Sequence, residues 1–142
     1  MRHSLPRPLV LATGVFDLLH AEHVALLQMA REQGAYLVVG INSDASARRV
    51  KGPGRPIIPQ QQRLQLLSAL RCVDGVIVFD FDTPRELVLE LQPDVLVKGH
   101  DYGDKLVVGR EEVEAWGGRV YIAPTRGRIH TTDIIDRIKD LL

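Results

Sequence analysis

The chain predicts an α/β fold, a single doubly wound, Rossmann-like domain spanning residues 1–142 with a five-stranded parallel sheet flanked by helices. Two observations carry that expectation. Short runs rich in Val, Ile and Leu recur along the chain, and the segments between them place apolar residues at three- and four-residue spacing. Near-continuous apolar strands alternating with such helices imply a parallel sheet covered on both faces. A third observation bounds the size: 142 residues suffice for one substantial core, with no internal repeat, low-complexity tract or linker to divide it.

The elements follow in order. The first strand is placed over Pro8–Ala12, the helix after it over Glu22–Gln33, and Gly34 is its expected C-cap. Tyr36–Ile41 reads as the second strand. Val50–Pro59 holds two glycines and three prolines and reads as a long basic surface loop, a feature that often carries function on a compact domain. A helix over Gln61–Leu70 and a strand over Val76–Phe79 come next. The helix over Pro84–Leu91 is introduced by Thr83 with Pro84 at its first position. A strand over Asp94–Val97, a helix over Glu111–Trp116 and a strand over Arg119–Ile122 complete the alternation, and Thr131 introduces a last helix over Thr132–Leu141. Trp116 and Tyr121 are either core residues or apolar anchors of an interface.

Composition narrows the function. Lys+Arg and Asp+Glu both number 18, so no global basic field points to nucleic acid, and any anion site must be local. The single cysteine, Cys72, excludes an internal disulfide and a Cys-rich metal site, and its neighbours make it a core filler rather than a nucleophile. The first residues lack a signal-peptide apolar core and no apolar run approaches membrane-spanning length, which leads to the expectation of a cytoplasmic protein with no membrane partner.

The chemistry concentrates in Gly14-Val15-Phe16-Asp17-Leu18-Leu19-His20-Ala21-Glu22-His23, directly after the first strand. Two histidines three residues apart at a strand-to-helix turn form a compact, cationic hydrogen-bonding pair where a helix N-terminus already favours an anion. That arrangement suits a triphosphate. The chain carries neither G-x-G-x-x-G after the first strand nor G-x-x-x-x-G-K-[ST], so dinucleotide-binding and P-loop readings lose their support. In an open parallel sheet, ligands bind beyond the carboxyl ends of the strands. Ala12-Thr13-Gly14, Asn42-Ser43-Asp44, Lys98-Gly99-His100-Asp101 and Pro124-Thr125-Arg126 should therefore converge on one crevice.

These pieces in this order resemble the nucleotidyltransferase superfamily related to cytidylyltransferases, whose signature is G-x-F-D-x-x-H-x-G-H. Arg48 through Pro56, Arg63 with Val73-Asp74, Asp94 through Tyr102, and Val108-Gly109-Arg110 through Thr131-Thr132 resemble one branch of it. That branch is the adenylyltransferase domains of ADP-heptose synthases, which join ATP and heptose 1-phosphate. The resemblance implies in-line attack of a substrate phosphate on the nucleotide α-phosphate with release of pyrophosphate, so that the protein positions reactants and neutralises charge. It assigns His20 and His23 to the triphosphate and the transition state, and Lys51 to the triphosphate or the acceptor phosphate. Thr13, Gly14, Val15 and Phe16 fall on the nucleotide-binding turn, and Asp17 orients that turn or sits near metal or phosphate. Arg63 matches a basic residue near the site, while Lys98, Gly99 and Asp101 line the nucleotide pocket. Thr131 and Thr132 offer hydroxyls and helix-start amides to phosphate. Mg²⁺ is expected with the nucleotide rather than in a protein cage, and a homo-oligomer is expected by resemblance alone.

Four departures stand out. Ala12-Thr13-Gly14 replaces T-N-G, Glu22 replaces the glycine of H-x-G-H, His100 replaces the second glycine of V-K-G-G-D, and Gly127-Arg128-Ile129-His130-Thr131-Thr132 replaces a G-x-S-T-T-like segment. A Glu22 carboxylate about 5 Å from a phosphate would be repelled by about 3 kcal/mol at an effective dielectric of 20. Three readings of Glu22 stay open: it turns outward and favours the helix dipole, it contacts ribose or base and changes nucleotide choice, or it joins His20, His23 and His100 in a metal site. The expected function is transfer from an NTP, ATP foremost, to heptose 1-phosphate. The alternatives are cytidylyl or adenylyl transfer to glycerol 3-phosphate or FMN, and a nucleotide-binding module without turnover.

Overall fold

The computed structural model describes residues 4–99, 106–124 and 129–142. His100, Asp101 and Arg128 lie outside the described residues. Five parallel strands, β1 (Leu9–Gly14), β2 (Tyr36–Asn42), β3 (Gly75–Phe79), β4 (Val95–Gly99) and β5 (Arg119–Ala123), form one sheet in the order β3-β2-β1-β4-β5. The helices are α1 (Ala21–Arg31), α2 (Asp44–Lys51), α3 (Gln60–Ser68), α4 (Arg85–Leu91), α5 (Arg110–Ala115) and α6 (Thr131–Leu141). The chain moves outward from β1 to β3, then returns to β1's other edge with β4. This reversal is the topological switch point at which doubly wound sheets bind ligands.

Strand pleat sorts the core into two faces. Along β1, Val10 and Ala12 point into a cluster with Leu27 and Ala30 of α1 and Leu67 of α3. Leu9 and Leu11 point the other way, onto Leu87, Val88 and Leu91 of α4 and Val113 of α5. All four β1 residues are buried, which explains a strand that reads as continuously apolar. Trp116 packs against the second cluster and donates its Nε1–H to the Pro93 carbonyl at 2.8 Å, while Tyr121 packs against the first. Both are therefore packed against the core. Cys72 packs against the first cluster as a filler, and burial pushes its thiol up.

Three local expectations need correction. Gly34 is not the left-handed C-cap of α1, which ends on Glu32 in a right-handed helical conformation. Its lack of a side chain answers a close approach: an added Cβ would lie 2.5 Å from the Pro8 carbonyl oxygen. Pro84 stands at the N-cap of α4, with Arg85 as the first helical residue, one position later than expected. Finally, residues 44–51 form α2, which takes the first two residues of the stretch read as loop. Capping holds this helix. Ser43 Oγ accepts from the Ser46 amide at 3.1 Å, Asp44 and the trio Arg48, Arg49 and Lys51 match the helix dipole at its two ends, and Gly52 closes it at φ 100°.

Candidate functional site

The turn leaving β1 is held in an uncommon backbone shape. Phe16 and Leu18 both adopt left-handed conformations, at φ 53° and 49°, a cost of about 1–3 kcal/mol each in a non-glycine residue. Its surroundings fix it there. Asp17 is 3% exposed, and its carboxylate accepts the amides of Ile57 at 2.7 Å and Ile58 at 2.9 Å. The Asp17 carbonyl accepts the Thr131 hydroxyl at 2.7 Å. One residue thus ties together the turn, the basic loop and the start of α6. Asp17 orients the turn, the first of its two expected roles.

Arg63 supports the same turn from beneath. It is 1% exposed, and its guanidinium donates to the carbonyls of Val15, Asn42 and Ile58 at 2.8–2.9 Å and pairs with Asp44 at 3.0 Å. Its assignment among the nucleotide-binding residues is therefore corrected. The guanidinium is consumed by internal acceptors and lies away from the cavity lining, so it shapes the site from behind. The signal in the sequence, a basic residue on a helix, could not separate these roles.

His20 is the N-cap of α1 and His23 its third residue. The Glu22 amide donates to His20 Nδ1 and the His20 amide donates to His23 Nδ1, each at 3.2 Å, which makes a reciprocal capping box built from two imidazoles. The rings stack with centroids 3.8 Å apart and planes 21° from parallel, and Phe16 packs against His23 at 5.3 Å. Burial lowers the His20 pKa, partly opposed by the Glu22 charge. Burial and the neighbouring His20 lower His23 to about 4. The cationic pair expected from sequence is therefore corrected: two Nδ1 acceptors and a half-buried His23 ring favour neutral imidazoles, with their hydrogens on Nε2. His20 Nε2 is buried and has no hydrogen-bond partner among the described residues. A neutral N–H donor so placed is available to a ligand.

These groups open onto a cavity of about 370 Å³, the size of a small-molecule cleft. Of the sequence-assigned residues, Thr13, Gly14, Val15, Phe16, Asp17, His20, Glu22, His23, Lys51, Lys98, Gly99, Thr131 and Thr132 all line it. Lys98 is buried and donates to the Thr13 hydroxyl at 2.6 Å, so Thr13 orients an ammonium at the cavity floor. Arg55 also lines the cavity and donates to the Thr132 hydroxyl at 3.2 Å, joining the basic loop to α6. Leu26 and Val97 supply apolar wall that no motif announced, and His130 enters as a third imidazole. Glu22 is half-buried and lines the cavity in the first turn of α1, which disfavours the reading in which it turns away. Among the described residues, no three His, Cys, Asp or Glu side chains converge as a metal cage.

The fold and the cavity define the class: a doubly wound α/β domain whose switch point carries a cavity lined by helix N-termini, lysines and imidazoles. The chain belongs to the cytidylyltransferase-like family, whose profile matches residues 11–137. It is 53% identical over 134 residues to the bifunctional protein HldE of Syntrophotalea carbinolica, an alignment covering 94% of this chain and 27% of that protein. It is 54% identical over 129 residues to HldE of Geobacter sulfurreducens, covering 91% of this chain and 26% of the relative. The chain thus spans about a quarter of the length of these curated relatives. Among solved structures, the lipopolysaccharide core biosynthesis protein of Thermoplasma volcanium superposes with a TM-score of 0.68 at 31% identity, covering 85% of this chain and 98% of that one. Pantothenate synthetase of Thermus thermophilus shares the fold, with a TM-score of 0.66 at 20% identity over 97% of this chain and 67% of that one.

Proposed function

We propose that this domain is a nucleotidyltransferase that moves the adenylyl group of ATP onto heptose 1-phosphate and releases pyrophosphate. An acceptor phosphate oxygen attacks the α-phosphorus in line, a P–O bond forms to the acceptor, and the bond to the β-phosphate oxygen breaks. No covalent enzyme intermediate is needed, so catalysis rests on orientation and charge stabilisation. The observation that carries the reading is the stacked His20–His23 pair at the N-terminus of α1, with its donors facing a cavity that also holds Lys51 and Lys98. The imidazole Nε2–H groups would meet the α-phosphate as negative charge grows on it. Lys98, held by Thr13, would sit under the triphosphate, and Lys51 would reach either reactant's phosphate.

Kinship with proteins named HldE and with one named for lipopolysaccharide core biosynthesis supports a sugar phosphate as acceptor and ATP as donor. Mg²⁺ fits as a companion of the nucleotide. It prefers phosphate oxygens and water, and of the two carboxylates lining the cavity among the described residues, Asp17 is taken by amides and Glu22 is left to face such a cation. Bound there, Mg²⁺ would neutralise phosphate charge. A cytoplasmic setting and a second copy of the chain as partner belong to the same reading.

The test is pyrophosphate release with Mg²⁺, crossing ATP and CTP against heptose 1-phosphate, glycerol 3-phosphate and FMN. Release confined to ATP with heptose 1-phosphate is the expected result. Release in another cell of the grid would reassign the substrates, and silence throughout would end the heptose assignment.

A further inference from the structure

Glu22 stands where the family signature has glycine, and it brings an unpartnered carboxylate to the cavity. Asp17, the other carboxylate in the lining among the described residues, is taken by two amides. Glu22 engages only its backbone amide, which donates to His20 Nδ1. Among the described residues, its side chain has no hydrogen-bond or ion-pair partner. A carboxylate only accepts hydrogen bonds, so a half-buried one that lines a ligand cavity calls for a donor on the ligand.

Its place in the cavity selects the donor. Lys51 and Arg55 arrive from the β2 side of β1, and Val97 from the β4 side. Along α1 the lining changes in character as well. His20 caps the helix, Glu22 lies in its first turn, and Leu26 follows on the same face, about 6 Å further along the axis. The carboxylate therefore lies between a cationic, donor-rich end and an apolar wall of Leu26 and Val97. A nucleoside triphosphate with its phosphates at the first and its base against the second brings its sugar to Glu22. Ionised phosphate oxygens offer that carboxylate no hydrogen, whereas a ribose offers two on adjacent hydroxyls. A Mg²⁺ ion at the phosphates keeps several waters and is faced through them, which leaves the carboxylate oxygens to the sugar.

We propose that Glu22 reads the ribose of the bound nucleotide, its two oxygens accepting from the 2′- and 3′-hydroxyls, so that the domain selects ribonucleotides over deoxyribonucleotides. The inference rests on the reading that this cavity takes a nucleoside triphosphate. It adds a specificity-determining residue at a position where the signature supplies no side chain.

The experiment is calorimetric titration with the Mg²⁺ complexes of ATP, 2′-deoxy-ATP and 3′-deoxy-ATP, without acceptor. Wild-type protein should bind ATP roughly 10- to 100-fold more tightly than either analogue, the worth of a hydrogen bond to a charged group. Any change of sugar pucker on losing a hydroxyl is common to all variants, so the comparison between them isolates the carboxylate. Glu22→Gln, which keeps the side-chain length and one acceptor oxygen, should shrink the ratio, and Glu22→Gly should abolish it. Wild-type indifference to both hydroxyls overturns the assignment without any variant. So does a wild-type ratio that survives in Glu22→Gly, or in Glu22→Gln should the glycine variant fail to fold. A wild-type protein that binds none of the three ends both the assignment and the nucleotide reading. Parallel pyrophosphate assays with heptose 1-phosphate separate the two claims. Equal binding of ATP and its deoxy analogues, with pyrophosphate released from each, would sink only the Glu22 role. A Glu22-dependent preference for ribose without release from any acceptor would sink only the transfer reaction.

Discussion

The rings of His20 and His23 lie 3.8 Å apart, and each accepts a backbone amide on Nδ1, so the cap of α1 and the donors of the cavity are the same two side chains. Substitution therefore has a structural and a chemical part, and these separate. Replacing either histidine by Ala should remove a capping bond worth about 1 kcal/mol and slow pyrophosphate release by roughly 10²–10³-fold, the usual loss for one preorganised donor. His20→Asn should keep the cap and the melting temperature yet lose most of the activity. An Asn variant with wild-type turnover would show that His20 only caps the helix.

Acid should loosen the same corner. His23 falls from 6.5 in the unfolded chain to about 4 in the folded one, so between these values the unfolded state binds more protons. Its contribution is intact above pH about 6.5 and is lost as the pH falls toward 4, by at most about 3 kcal/mol at 1.36 kcal/mol per unit. Urea denaturation across this range should show stability declining with acidity, and His23→Gln should flatten the decline. An unchanged slope in that variant would refute the assignment of the acid sensitivity to His23.

Glu22 places a carboxylate in the lining of the cavity proposed to take the triphosphate. If it faces the phosphates directly, Glu22→Gln should lower the Michaelis constant for ATP by about 10- to 100-fold, within the roughly 3 kcal/mol set by two charges about 5 Å apart at an effective dielectric of 20. If it faces Mg²⁺ on the nucleotide, the same change should instead raise the Mg²⁺ concentration needed for half-maximal rate. A magnesium titration of both proteins decides. No change in either quantity would mean that the carboxylate meets neither.

Arg63 should matter for stability before it matters for binding. Arg63→Ala would leave three carbonyls and the Asp44 carboxylate without their shared donor, at a cost of about 3–5 kcal/mol. Thermal melting should register the loss, and ATP affinity measured well below the melting point should fall too as the Val15 turn relaxes. Loss of affinity at an unchanged melting temperature would restore Arg63 to the ligand.

The alternation of strands and helices was legible because buried parallel strands must be apolar throughout, as β1 is, and because helices such as α3 and α4 bury one face. α2 escaped notice for the opposite reason. Asp44–Lys51 holds little apolar periodicity and is held by Ser43 and Gly52, whose signals are single residues. Most of the cavity lining was legible too, because the turn from Gly14 to His23 compresses its chemistry into ten residues. The internal role of Arg63 and the presence of His130 at the cavity were not legible, because burial of a guanidinium against three carbonyls and the meeting of α1 with α6 are facts of tertiary structure. The neutrality of the histidine pair was hidden likewise, since it depends on which nitrogen meets an amide.

The strand order has a consequence for the folding chain. β1 pairs with β2 across a short connection, but Val10 meets Val95 and Ala12 meets Val97 only after the chain has closed a loop of about 85 residues, a slow, non-local step. Lys98 rides in on β4, and His130 and Thr131 arrive later still with α6. A half-assembled chain holding β1, β2 and β3 would own the His20–His23 turn, Lys51 and Arg55, but neither Lys98 nor the start of α6 to close the cavity. Nucleotide would then recognise only the finished molecule, drawing the last steps of folding forward by mass action and leaving partly folded chains to the cell's proteases.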